Sequence, residues 1–253
     1  MDRVMKVEGL QGGWGEQLVL DDVSFSVEKG EIVAIVGKSG CGKSTLMQHL
    51  LGLVKPWRGR VVFRETDIWS SPEAMQRARR RWGVTFQSGA LLGNLTVIEN
   101  VKLPLKEYTD LTEDEIATVA YSKLDTVGLA DFADSSPLEV SGGMQKRAGL
   151  ARAMALDPEV LFFDEPSAGL DPVTSAHLDD LIRSINRSLG TTVVIVTHEL
   201  ASIFAISDRV IMLDAEAHGI IARGTARELR DSSGDSRVRA FFRREAAEEG
   251  KDS

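Results

Sequence analysis

The chain has 253 residues, 43% of them apolar and 27% charged, which is ordinary for a globular protein and unlike disordered or collagen-like sequences. Its 30 basic residues against 38 acidic ones leave a net charge of −8, which argues against a protein that wraps nucleic acid. A single cysteine excludes an internal disulfide framework and a multi-cysteine zinc site, and 6% aromatic content argues against binding by many stacked rings.

From the N-terminus, residues 1–30 predict short alternating strands, among them Leu18-Val19-Leu20 and Val23-Ser24-Phe25-Ser26-Val27. Met1 to Leu20 carries Asp2, Arg3, Lys6, Glu8 and Glu16, so no apolar core of signal-peptide length is present. The longest apolar runs fall far short of the ~20 residues that cross a bilayer. A soluble, cytoplasmic chain is expected, held at a membrane only through a partner.

Ile32-Val33-Ala34-Ile35-Val36 is a continuous apolar run between Gly30 and Gly37, the pattern of a parallel strand buried on both faces. Gly37-Lys38-Ser39-Gly40-Cys41-Gly42-Lys43-Ser44 follows at once and fits G-x-x-x-x-G-K-[ST]. Thr45 then opens an amphipathic helix that Gly52 is placed to stop. Glycines let backbone N–H groups converge on phosphate oxygens, and the helix N-terminus adds partial positive charge. Lys43 is expected to reach the β- and γ-phosphates and the Ser44 hydroxyl to ligate Mg²⁺. The plain alternative is a glycine-rich turn, which the strand–loop–helix context disfavours. Cys41 within the loop is either a small filler or a thiolate favoured by the helix N-terminus.

Arg77, Arg79, Arg80 and Arg81 form the densest basic run, either a solvated helix face or a surface for anionic headgroups or an acidic partner. From Leu91 to Val140 helix formers dominate, and Thr112-Glu113-Asp114-Glu115 has the form of a capping box, predicting a helical subdomain inserted over about 91–150. Val160-Leu161-Phe162-Phe163 predicts a second buried strand, ended by Asp164-Glu165-Pro166. A carboxylate there can complete a Mg²⁺ shell, and its neighbour can orient an attacking water, because phosphoryl transfer depends mostly on positioning and charge stabilisation. Thr191 to Thr197 is β-branched throughout and stops at His198. Arg243 to Ser253 is charged and predicts a frayed helix or tail.

The order Gly37–Thr45, Gln87, Ser141-Gly142-Gly143, Phe163-Asp164-Glu165-Pro166, Ser167–Asp171 and His198 resembles ATP-binding cassette (ABC) ATPase domains over about residues 4–230. The signature departs from the usual Leu-Ser-Gly-Gly-Gln in reading Val140-Ser-Gly-Gly-Met144, and the segment after Pro166 begins with Ser167. The resemblance implies an α/β P-loop NTPase fold. It comprises a mixed, RecA-like core, an antiparallel β subdomain and the inserted helical subdomain, as one domain over 1–230 with 231–253 as a helical extension or tail. It implies ATP and Mg²⁺ as ligands, and Glu165, His198 and Gln87 as catalytic residues. ATP contacts are implied for Trp14 (in place of a stacking Tyr), Gly37, Lys38, Ser39, Gly40, Cys41, Gly42, Lys43, Ser44, Thr45, Ser141, Gly142, Gly143, Met144 and Asp171. Mg²⁺ contacts are implied for Ser44, Gln87 and Asp164.

Phe86-Gln87-Ser88-Gly89-Ala90-Leu91-Leu92, Leu95-Thr96-Val97, Glu99 to Leu105, Met144 and Asp235 to Phe241 are similar to the ATPase subunits of Mla/MCE-type phospholipid transporters. That similarity implies a homodimer closed by ATP on the cytoplasmic face of a bacterial inner membrane. Its partners would be an integral-membrane permease and an MCE-domain protein, with no nucleic acid. The alternatives are the ATPase of a small-molecule, amino-acid-type importer, a non-transport cassette acting on DNA or ribosomes, and a nucleotide-binding scaffold without turnover.

Overall fold

The computed structural model describes residues 2–244. In chain order the elements are strands β1 (Arg3–Trp14), β2 (Gln17–Glu28) and β3 (Ile32–Val36), then helix α1 (Lys43–Leu50). They continue with β4 (Arg58–Phe63), β5 (Thr66–Asp67), α2 (Pro72–Arg79), β6 (Trp82–Thr85), α3 (Val97–Tyr108) and α4 (Glu113–Thr126). Then come α5 (Gly142–Ala153), β7 (Val160–Asp164), α6 (Pro172–Leu189), β8 (Thr192–Val196) and α7 (Leu200–Ile206). The last are β9 (Arg209–Asp214), β10 (Gly219–Gly224), α8 (Ala226–Ser232) and α9 (Ser236–Arg243). The chain divides into two compact units, Met1–Ser71 with Val196–Ser253, and Pro72–Ile195.

In the first unit the short strands expected over residues 1–30 are one long antiparallel hairpin. β1 and β2 each run 12 residues and turn at Gly15, with register shifts that absorb the irregular alternation of the sequence. β4 and β5 extend this hairpin into a sheet of order β2-β1-β4-β5. β3 is buried at all five positions and pairs in parallel with β9, which β10 flanks antiparallel. Arg209 at the start of β9 donates to both Glu31 carboxylate oxygens, at 2.6 and 2.8 Å, and to the Ser26 carbonyl at 2.6 Å. A bidentate charge-assisted pair of this kind holds its elements in fixed register.

α1 is buried along Thr45, Leu46, Met47, His49 and Leu50. His49 is wholly buried, its Nδ1 lying 2.9 Å from the Val54 carbonyl, so the ring is the Nδ1–H tautomer. Its Nε2 lies against Gly12, where an added Cβ would sit 2.2 Å away. Burial pushes the His49 pKa down, because a proton on Nε2 would place a charge in an apolar site. A folded-state value below the unfolded ~6.5 means that the unfolded chain binds more protons as pH falls, so this contribution is complete above pH ~6.5 and is lost below it. Urea unfolding between pH 8 and 5 should show stability falling below ~6.5, by at most about 1.4 kcal/mol per pH unit from this group. His49→Gln should flatten that slope, and an unchanged slope would rule His49 out as its source.

The C-terminal helices pack into the same unit. Val238 and Phe242 of α9 are buried, Phe242 meets Phe204 of α7 edge-on at 6.0 Å, and Arg230 lies over the Phe204 ring at 5.2 Å. Of the expected tail, Arg243 closes α9, and residues 245–253 lie outside the described residues.

In the second unit β6 runs parallel to β7, and β8 follows in the order β8-β7-β6. Helices α3, α4 and α5 occupy the segment expected to be helical. Thr112 caps α4 in a capping box with Glu115, as its sequence predicts, and Thr96 caps α3 in the same way with Glu99. Asn100, wholly buried, satisfies its amide by accepting from the Leu92 N–H at 2.7 Å and donating to the Leu92 and Thr96 carbonyls at 3.1 and 2.9 Å. The basic run is not one helix face. α2 ends at Arg79, Arg80 lies over the Tyr108 ring at 5.7 Å, and Arg81 pairs with Glu159 at 3.4 Å. Among the described residues no helix is long and apolar enough to cross a membrane.

Candidate functional site

In the first unit the candidate residues centre on the loop between β3 and α1. Gly37 leaves β3 with φ 147°, and a Cβ there would lie 2.4 Å from the Leu213 carbonyl oxygen and 2.5 Å from Cys41 Sγ, so only glycine fits. Lys38, Ser39, Gly40 and Ser44 are exposed, while Cys41 and Gly42 are buried beneath them. The Lys43 ammonium folds back over the loop and donates to the Gly37 carbonyl at 2.9 Å and the Lys38 carbonyl at 3.0 Å. This cation therefore stands among backbone groups at a helix N-terminus, an arrangement suited to anionic oxygens.

Trp14 projects beside the same helix. Its indole N–H donates to the Thr45 hydroxyl at 3.2 Å while half of the residue stays exposed, so the ring is anchored and available for stacking. His198 is exposed after the Thr197 turn, where the Thr197 N–H donates to the Ile35 carbonyl of β3 at 3.3 Å. Of the two readings of Cys41, its burial favours the small filler: desolvation pushes the thiol pKa up, and nearby Lys43 only partly opposes this.

The second unit gathers the remaining residues around α5. Ser141 is the N-cap of α5, its hydroxyl accepting from the Met144 N–H at 3.3 Å, and Gly142 opens the helix. Ser141, Gly143 and Met144 line a pocket of about 340 Å³ with Leu170 and Thr174. Gln87, Gly142 and Asp164 line a second cleft of about 540 Å³ with Lys146 and Gly169. Gln87 is thus brought to the carboxylate that ends β7. Glu165, the next residue, is half-buried and sits at φ 48°, a left-handed conformation costing a non-glycine residue about 1–3 kcal/mol. Strain of this size persists only where the surroundings impose it.

Asp171, expected to contact ATP, also has a local structural role. It is the N-cap of α6, accepting from the Val173 and Thr174 N–H groups at 3.0 Å each and from the Thr174 hydroxyl at 2.5 Å. The Thr174 hydroxyl above all, with these amides, holds its carboxyl below the usual range. Two residues that pattern reading did not single out are Lys146 and Arg152 of α5, which grip the loops after Glu165 and Gln87. Both partners are distant in sequence, so no local motif announces them.

Among the described residues no three His, Cys, Asp or Glu side chains cluster as a metal cage. In the first unit the Ser44 hydroxyl, and in the second the Gln87 amide and the Asp164 carboxylate, are hard oxygen donors of the kind Mg²⁺ takes, unlike the nitrogen and sulfur donors that Zn²⁺ prefers. The exposed amides and the Lys43 cation form the cradle that a triphosphate needs.

The ABC transporter family model matches residues 20–168. The MlaF intermembrane phospholipid transport ATP-binding protein of Haemophilus influenzae is 37% identical over 244 residues, 96% of this chain and 91% of that protein. The MetN methionine import ATP-binding protein of Rhodopseudomonas palustris is 44% identical over 216 residues, 85% of this chain but 58% of that protein. Several curated relatives are longer in this way, and the chain spans only 58–62% of their length. Among solved structures, the dimeric post-hydrolysis cassette MJ0796 bound to ADP and Pi superposes with a TM-score of 0.78 at 30% identity, covering 87% of this chain and 98% of that one. On its cradle loop, its ordered site residues and these likenesses, the chain belongs to the ABC transporter family.

Proposed function

We propose that the chain is the ATP-binding and hydrolysing subunit of a membrane transporter, and that the transporter moves phospholipid between membranes in the Mla/MCE manner. The observation that carries the ATPase reading is the cradle of Gly37 to Ser44 with Lys43 folded onto the Gly37 and Lys38 carbonyls. The phospholipid reading is supported by coverage, since the likeness extends over 91% of MlaF but 58% of MetN.

In this reading residues 1–230 form one cassette, with about 91–150 as its helical insertion and 231–253 as an extension. Two copies close head-to-tail over ATP, one supplying the Lys43 side and the other Ser141, which agrees with the dimeric state of MJ0796. The loop amides and Lys43 hold the phosphates, and Trp14 stacks on the base. Glu165 orients and deprotonates the attacking water, and His198 and Gln87 sense the γ-phosphate side. Ser44, Gln87 and Asp164 are the residues that would hold Mg²⁺, which when bound supplies charge neutralisation on the phosphate oxygens. Closure is a ligand-driven population shift, passed on through the Gln87 and 91–105 region to a permease at the cytoplasmic face of the inner membrane.

Affinity purification of the tagged full chain from detergent-solubilised membranes, with identification of the proteins that accompany it, tests the transporter reading. A permease with an MCE-domain protein is the expected result. A permease with a periplasmic binding protein would move the reading to a small-molecule importer, and the absence of any permease would remove the transporter reading altogether.

A further inference from the structure

Helix α5 does more than present Ser141. One turn in, the Lys146 ammonium donates to the Pro166 carbonyl at 2.7 Å and the Ala168 carbonyl at 2.5 Å. These carbonyls flank the buried Ser167, in a turn closed by the Ala168 N–H donating to the Glu165 carbonyl at 3.1 Å. The left-handed Glu165 opens that turn, so Lys146 pins the segment that keeps Glu165 in its strained conformation. Farther along the helix, the Arg152 guanidinium donates to the Gly89 carbonyl at 2.9 Å and the Ala90 carbonyl at 2.7 Å. Ala90, like Glu165, is a non-glycine residue in the left-handed region, at φ 47°. Helix and loop also meet backbone to backbone, since a Cβ on Gly149 would lie 2.9 Å from the Gly89 oxygen.

We propose that α5 is a rigid strut on which the loops carrying Gln87 and Glu165 are both mounted, with Arg152 and Lys146 as positioning residues. Displacement of the Ser141 end then moves both loops as one body, because each is held to the helix by charge-assisted bonds to its carbonyls. The proposal rests on the ATPase reading above, and adds to it the parts that keep Glu165 and Gln87 aligned for the same reaction.

The test is steady-state phosphate release by the full chain with Mg-ATP, combined with amide hydrogen exchange measured without nucleotide. Lys146→Met and Arg152→Met should each lower kcat about tenfold or more and leave KM within about twofold, because misplacement of reacting groups costs turnover and not ground-state binding. Lys146→Arg, whose longer cation still reaches both carbonyls, should recover most of the lost kcat. Gly149→Ala, which keeps every charge but wedges helix from loop, should lower kcat in the same way. Exchange should quicken at Gly89 and Ala168, whose N–H groups close the two turns, and stay unchanged along β7. Parental kcat in both Met variants overturns the proposal, as does faster exchange spread over the whole chain with no recovery in Lys146→Arg. A parent chain that releases no phosphate defeats the ATPase reading alone, since the exchange pattern needs no turnover and still decides for or against the strut.

Discussion

Glu165→Gln should bind Mg-ATP as the parent does and lose about 10²–10⁴-fold in phosphate release, the range that a positioned general base supplies. Glutamine keeps the volume and one acceptor oxygen but carries no charge and takes no proton at neutral pH. The residue's surroundings suit this role. It directly follows a strand buried at four of its five positions, it is half-buried, and its backbone is held in the left-handed region at φ 48°. Because hydrolysis is what opens the proposed ATP-closed pair, the variant should also elute as a dimer in ATP and as a monomer in ADP. Phosphate release with size-exclusion chromatography measures both effects. Turnover at the parental rate would take the catalytic role away from Glu165.

Lys43→Ala acts earlier, on binding itself. The parent ammonium donates to the Gly37 and Lys38 carbonyls, and on the proposed reading it exchanges these contacts for phosphate oxygens. Losing a charge-assisted hydrogen bond of this kind costs about 1.5–3 kcal/mol, which corresponds to roughly 10–100-fold in Kd. Titration calorimetry with a non-hydrolysable ATP analogue should show this weakening while the thermal stability without nucleotide changes little. Unchanged affinity would mean that the cradle does not serve a triphosphate. The two variants separate the roles cleanly, since Glu165→Gln spares binding and Lys43→Ala spares the water-activating carboxylate.

Much of this protein is legible at short range. The run Ile32–Val36 is apolar at every position and is buried at every position, because a parallel strand covered on both faces has no solvent side to keep polar. The loop after it needs only Gly37 to Ser44 to be recognised, and the capping box of Thr112 with Glu115 spans four consecutive residues. In each case the interacting groups are fixed by spacing along the chain. The irregular alternation over residues 1–30 was harder to read, since register shifts in the β1–β2 ladder break the period of two and a 12-residue strand looks like several short ones.

By itself, then, the amino-acid sequence determined the strand–loop–helix cradle, the order of its phosphate-directed residues and the helix starts, all of them matters of a few neighbouring residues and their torsions. Only the tertiary structure decided which way the ambiguous groups went. Cys41 became a buried thiol, packed close beside Gly37. His49 was left with its Nε2 against Gly12. Lys146 and Arg152 found carbonyls roughly 20 and 60 residues away. Desolvation and long-range contact depend on what the folded chain stacks around a group, and no spacing rule along a linear sequence carries that information.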